Sequence, residues 1–405
     1  MKQTAIHLYV NMPGHTPCYT SVTAALTALE QFPQTEQPSQ TEQLPQARLS
    51  PQVEQPLQEE QSPQTEQSPQ ARQSSQAKQP SQTEQLPQAA AEKTYPALIS
   101  HLPPAVLHIG KGIYREKLVI TRPNLTLQGE GESNKDVVLV YGDGALDPMP
   151  EGDLRGTFRT ASVRIDTHDF TARHLTFQND AGFGHTAGQA LALYVDGDRN
   201  YFEDCRLIGS QDTLFTAPLP PKEAQPGGFK GPGEFRPRTL GRHCYRNCYI
   251  QGDVDFIFGS GIAWFEDCVI FSKLPEDRKQ PEAPRSDVIY GYVTAASTPE
   301  NEPFGYVFYN CSLKSDCPPK TVLLGRPWRE WAKTVFLNCW LDSHIHPMGW
   351  NDWNKPHGHF YYGEYRSHGP GAAPCARADF SHQLTEEEAA KYTMNNVLKD
   401  WKPGY

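Results

Sequence analysis

The chain has 405 residues, 37% of them hydrophobic, and carries 47 acidic against 37 basic side chains for a formal net charge of −10. That balance suits a folded protein and disfavours nucleic acid as a partner, because an anionic backbone would be repelled. No apolar run reaches the roughly 20 residues that a membrane helix needs, so no membrane partner is expected.

Residues Met1–Pro13 hold only a very short apolar stretch, broken by Asn11 and Pro13. They do not read as a secretory signal, and the expectation is a cytoplasmic protein. From Tyr19 to Leu29, Val22, Ala25, Leu26 and Leu29 share one helical face, with Thr20 or Ser21 as N-cap. Variants of Pro-Gln-Thr-Glu-Gln then recur, at Pro33–Gln37 and Pro63–Gln67. Such a run has no apolar face to bury and reads as a disordered insertion. Order resumes near Tyr95, with strands at Ala105–Gly110, Lys117–Ile120 and Leu125–Gly131. The expected domains are therefore an N-terminal strand and cap helix (1–30), the insertion (31–90), and a catalytic β-solenoid with a C-terminal helical cap (91–405).

The solenoid is announced by a phrase: aromatic, any residue, Asp or Asn, Cys, any residue, Ile or Leu. It occurs at Phe202–Leu207, Tyr245–Ile250, Phe265–Ile270, Phe308–Leu313 and Phe336–Leu341. Each copy alternates like a strand, and a recurring strand unit signals coils stacked about 4.8 Å apart. The spacing is uneven, 20 residues from Cys248 to Cys268, 28 from Cys311 to Cys339 and 43 from Cys205 to Cys248. Pro218–Thr239 is dense in Pro and Gly and cannot be a central strand, so the longest gap reads as one coil carrying an excursion. A similar excursion is expected from about Leu274 to Pro303. The five repeated cysteines fill an inward slot and read as free packing thiols rather than a disulfide framework. Thr385 and Glu388 form a capping-box signature ahead of a helix ending near Leu398. Helices at both ends would cover otherwise open strand edges.

Asp212 and Asp255 each fall seven residues after a cysteine of the phrase. On adjacent coils they would be forced together, an arrangement that costs free energy unless chemistry needs it. Four segments hold the other candidates: Gly188–Leu193, Gln211–Leu214, Gly252–Gly259 and Leu324–Trp328. Two close carboxylates, an arginine and amide donors suit acyl chemistry on an ester. One carboxylate, kept ionised by Arg326, can attack the carbonyl, while the other, its pKa raised, carries a proton to the leaving group. Gln189 and Gln211 can donate to a developing oxyanion. Asp253, two residues before Asp255, would share its face on a regular strand and has at most a supporting role. No G-x-S-x-G sequence supports a Ser-His-Asp reading. His344, His346, His357 and His359 form two H-x-H pairs without a Cys or carboxylate set, so no metal site and no cofactor are expected.

Gln-Asp-Thr-Leu, Val-Asp-Phe-Ile-Phe-Gly and Leu-Gly-Arg-Pro-Trp, in that order, resemble the signature regions of the pectin methylesterases, carbohydrate esterases built on a right-handed parallel β-helix. The likeness runs from about Cys18 to Leu398, apart from the insertion. It implies Asp255 as nucleophile, Asp212 as general acid then base, Gln189 and Gln211 as oxyanion donors and Arg326 as the partner of Asp255. It also implies Phe258, Trp328, Phe215 and Thr160 as sugar contacts. Phe215 stands where the family often has Tyr, and Ser210 where a bulkier residue is common. The expected substrate is methyl-esterified oligogalacturonate, and a monomer is expected. A lyase or galacturonase on the same scaffold fits the Arg326 set less well. A relative acting on another ester or thioester, or only binding carbohydrate, is the alternative.

Overall fold

Among the described residues, three parallel sheets of 12, 8 and 7 strands carry the chain through successive coils; seven coils each contribute one strand to every sheet, and the extra strands of the two larger sheets lie at the ends. This computed structural model describes residues 5–31, 102–275 and 288–404. These residues belong to one unit, Met1–Phe32 with Leu98–Tyr405. Apart from Gln31, the expected insertion lies outside the described residues, as does part of the 274–303 excursion.

The repeated phrase explains the coil. Its aromatic residues pair in register, Phe202 with Tyr245, Tyr245 with Phe265, Phe265 with Phe308 and Phe308 with Phe336. Their rings stack face to face inside the solenoid, with centroids 4.8, 4.8, 4.4 and 4.4 Å apart. Such pairs contribute about 0.5–1.5 kcal/mol each beyond the area they bury. The following Asp or Asn is the corner: Asp204, Asn247, Asp267, Asn310 and Asn338 all have φ between 50° and 56°. Asp and Asn tolerate this left-handed conformation better than other residues with a side chain, which is why the phrase keeps them. The cysteine then turns inward, and each thiol donates to a carbonyl one coil back, as Cys248 Sγ does to Phe202 O at 3.5 Å and Cys268 Sγ to Tyr245 O at 3.4 Å. All nine cysteines are free.

Direct pairing of Asn200–Glu203 with Arg242–Arg246 makes the 43-residue gap a single coil with an excursion. The N-terminal helix spans Val22–Glu30, capped by Ser21, whose hydroxyl accepts from Ala24 N at 3.1 Å. Its Val22, Ala25 and Leu29 join the interior cluster with Leu8 and Ile109. The C-terminal expectation needs correction. Two short helices, Glu386–Ala389 and Met394–Leu398, replace one, because Thr393 supplies a second N-cap by accepting from Asn396 N at 3.2 Å. Val397 and Leu398 pack with Ile262, Trp264 and Val335, against the outer face of the largest sheet.

Candidate active site

In the seven-stranded sheet Leu214 pairs with Ile257, so Asp212 and Asp255, each two residues earlier, occupy equivalent positions on neighbouring coils. Asp212 N donates to Val254 O at 3.1 Å. Both aspartates sit in the left-handed region, φ 63° and 50°. At Asp255 the strand carries a bulge: Val254 faces Tyr292 and Ile257 faces Thr294, three steps against two. A bulge re-aims the side chain that it displaces. It also corrects the expectation for Asp253, which does not follow Asp255. Asp253 lines a separate cavity of about 180 Å³ with Gln211 and Tyr290, and its Oδ1 accepts from Val254 N at 2.7 Å.

A second cleft, about 330 Å³, is lined by Gln189, Gln211, Asp212, Asp255, Phe258, Arg326 and Trp328 together. Ala190 N donates to Gln211 O at 3.1 Å, which sets the two glutamines on consecutive coils. Their side-chain amides make no hydrogen bond to the protein among the described residues. Donors left open on the cleft wall are available to a ligand.

Arg326 Nε and Nη2 donate to Asp255 Oδ1 and Oδ2 at 2.8 and 2.6 Å. The guanidinium is clamped between two rings, 3.9 Å from the Tyr292 centroid and 3.8 Å from that of Trp353. Asp212 and Asp255 are each only 7% exposed. Burial pushes the Asp212 carboxyl well above the usual range, and the nearby Asp255 charge pushes it further. Burial also raises Asp255, but the Arg326 hydrogen bonds and charge pull it back. The two carboxyls are thus pushed up unequally, Asp212 more than Asp255, because only Asp255 is held by the arginine.

Two expected sugar contacts lie elsewhere. Thr160 is fully buried; its hydroxyl donates to Thr157 O at 2.7 Å and accepts from Leu191 N at 3.0 Å, so it is a framework residue below the cleft. Phe215, also fully buried, packs edge-on against Tyr194 and Phe158, with centroids 4.8 and 5.0 Å away. Sequence reasoning missed Tyr292, Trp353, Arg329 and Phe229, of which the last three line the cleft. Of the histidines, His344 is buried and pushed down to about 4, His357 bonds Asp352 at 2.9 Å, and His359 stacks on Trp331 at 4.5 Å.

The sequence model of the pectinesterase family matches residues 89–219 and 239–400. The chain belongs to the pectinesterase family. Pectinesterase QRT1 of Arabidopsis thaliana is 33% identical over 288 residues, covering 69% of this chain and 66% of that protein. The chain thus spans just under two thirds of that relative's length. Among solved structures, pectin methylesterase PemA from Erwinia chrysanthemi superimposes with a TM-score of 0.65 at 27% identity, covering 99% of this chain and 98% of its own. A pectin methylesterase in complex with a hexasaccharide is 33% identical, with a TM-score of 0.60 over 77% of this chain and 94% of its own. Within the pectinesterase fold, Asp255 lies on a strand of the seven-stranded sheet, Asp212 two residues before another and Arg326 directly after a third.

Proposed function

We propose that this chain is a pectin methylesterase that hydrolyses methyl esters of oligogalacturonate without a metal, with Asp255 as nucleophile and Asp212 as proton carrier. The observation that carries the reading is the asymmetric pair: two adjacent buried aspartates, of which only Asp255 is gripped at both oxygens by Arg326. An Asp255 oxygen attacks the ester carbonyl carbon, and the resulting oxyanion is held by the Gln189 and Gln211 amides. Asp212 gives its proton to the departing methoxide oxygen, and methanol leaves an acyl-enzyme anhydride. The Asp212 carboxylate then takes a proton from water as the hydroxide oxygen attacks that carbonyl carbon, releasing Asp255 and a galacturonate carboxyl. The hexasaccharide complex of a relative supports an oligomeric substrate.

Methanol release from methylated oligogalacturonate, with and without chelator, tests the activity. Release that survives the chelator and disappears in both Asp255→Asn and Asp212→Asn is expected; near-normal release by either variant overturns the mechanism. A cytoplasmic location, where short imported oligomers would be the substrate, belongs to the same reading and is supported by nine unpaired cysteines. Fractionation that recovers the mature protein outside the cell would overturn it.

A further inference from the structure

Residues 220–238 fall in the gap between the two segments that match the family. They follow the strand Leu214–Thr216, which begins two residues after Asp212. Yet this loop contributes to the wall of the cleft, through Gln225 and Phe229 among others. It is also built to hold its place. Arg238 ties it together by donating to Gly233 O at 2.6 Å, Arg236 O at 2.8 Å and Glu234 O at 2.9 Å. It reaches both banks of the cleft. Lys230 Nζ meets Asp153 Oδ2 at 2.9 Å on the Phe158 side, and Arg329 Nη2 donates to Lys222 O at 3.1 Å on the Trp328 side. Gly233 has no room for a side chain, since a Cβ there would lie 2.4 Å from the Tyr194 hydroxyl. Between these ties Phe229, only 5% exposed, stands edge-on to Phe158 and to Trp328, with centroids 5.9 and 6.3 Å away.

A sugar chain stacking on Trp328 and continuing past the C-terminal ends of the strands would meet the ring of Phe229. We propose that residues 220–238 are an end wall of the substrate cleft and that Phe229 sets its length, so that the protein prefers short methylated chains over esters inside a long polymer. The proposal rests on the pectin methylesterase reading above. Rejection of a chain that cannot bend around a fixed ring is steric, and a preference of about tenfold is of the size that such pocket walls provide.

The test compares kcat/KM per ester for methylated galacturonate trimers and hexamers with that for high-molecular-weight methylated pectin. It uses the full chain, Phe229→Ala, and a variant with residues 221–237 replaced by a Gly-Ser linker, each checked for folding by thermal melting. The unmodified protein is expected to favour the oligomers by about tenfold, and both variants to bring the ratio near one by gaining on the polymer. An unmodified protein that uses polymer as well as hexamer overturns the end wall, whether or not the variants fold. So does an oligomer preference that persists unchanged in a folded Phe229→Ala. Absence of methanol release from every substrate by the unmodified protein defeats the underlying functional reading instead, and the end wall with it.

Discussion

Arg326 grips both carboxylate oxygens of Asp255 while its own guanidinium is held between the rings of Tyr292 and Trp353. Planar bidentate pairing and ring stacking are both properties of arginine that lysine lacks. The clamp fixes the direction of the Asp255 lone pairs as well as the carboxylate charge.

Removing the clamp should therefore show in the pH dependence. In Arg326→Ala, burial still raises the Asp255 pKa, and only the weaker pull of the Lys355 charge remains against it. The ascending limb of kcat/KM should move to higher pH by about 1–3 units, the usual range for a lost arginine partner. Arg326→Lys should restore part of the shift but not the full rate. A limb that stays in place in Arg326→Ala would show that Asp255 ionisation does not control that limb.

The two aspartates should behave alike in activity, and Asp212 should also show itself in stability. Asp255→Asn and Asp212→Asn should each lower kcat on the order of a thousandfold or more. Asp212 has a folded pKa raised above its unfolded value. Below the unfolded pKa both states are protonated and nothing is lost. As pH rises from the unfolded toward the folded pKa, only the unfolded chain releases its proton, so wild-type stability falls. Asp212→Asn cannot ionise and should melt higher than wild type near neutral pH, with the gap closing in acid. Melting temperatures measured across pH check this; a gap that widens in acid would reverse the assignment.

Gln211→Ala should cost about a hundredfold in kcat while KM changes little, as for a donor used mainly when the oxyanion forms. Steady-state kinetics on one oligomer decide it. A rise in KM at constant kcat would make Gln211 a ground-state sugar contact instead.

The cysteine ladder is expected to act by packing alone. Cys248→Ala should cost about 1 kcal/mol through a small cavity and leave turnover intact. Thiol titration of the native protein should find the exposed Cys18 and Cys375 first, and denaturation without reductant should reveal all nine. Fewer than nine would mean pairs have formed.

Much of this was legible because a solenoid repeats its rules. The shared seven-residue offset of Asp212 and Asp255 from Cys205 and Cys248 foretold equivalent positions on adjacent coils, and the register of Leu214 with Ile257 bears that out. Phe215 misled because motif proximity does not say which side of a strand faces the cleft, and Thr160, at the end of the short turn Thr157–Arg159, because its hydroxyl is used within the framework; both are fully buried. Tyr292 and Trp353 carried no local signal, since each meets Arg326 only after distant segments fold together. The bulge at Asp255 was equally hidden, for it depends on a neighbouring strand 37 residues away, from Asp255 to Tyr292. The break before the second C-terminal helix could have been found, because Thr393 and Asn396 repeat the capping logic of Thr385 and Glu388.

The aromatic rungs, 4.4 to 4.8 Å apart, hold the pitch of the coils constant while the chain between rungs varies from 20 residues to 43. The separation of Asp212 from Asp255 is set by that pitch and owes nothing to loop length. Evolution can thus rewrite the excursion at 218–239, and with it which molecules enter, as an almost independent variable. The reaction centre keeps its gauge because it is machined into the repeat itself.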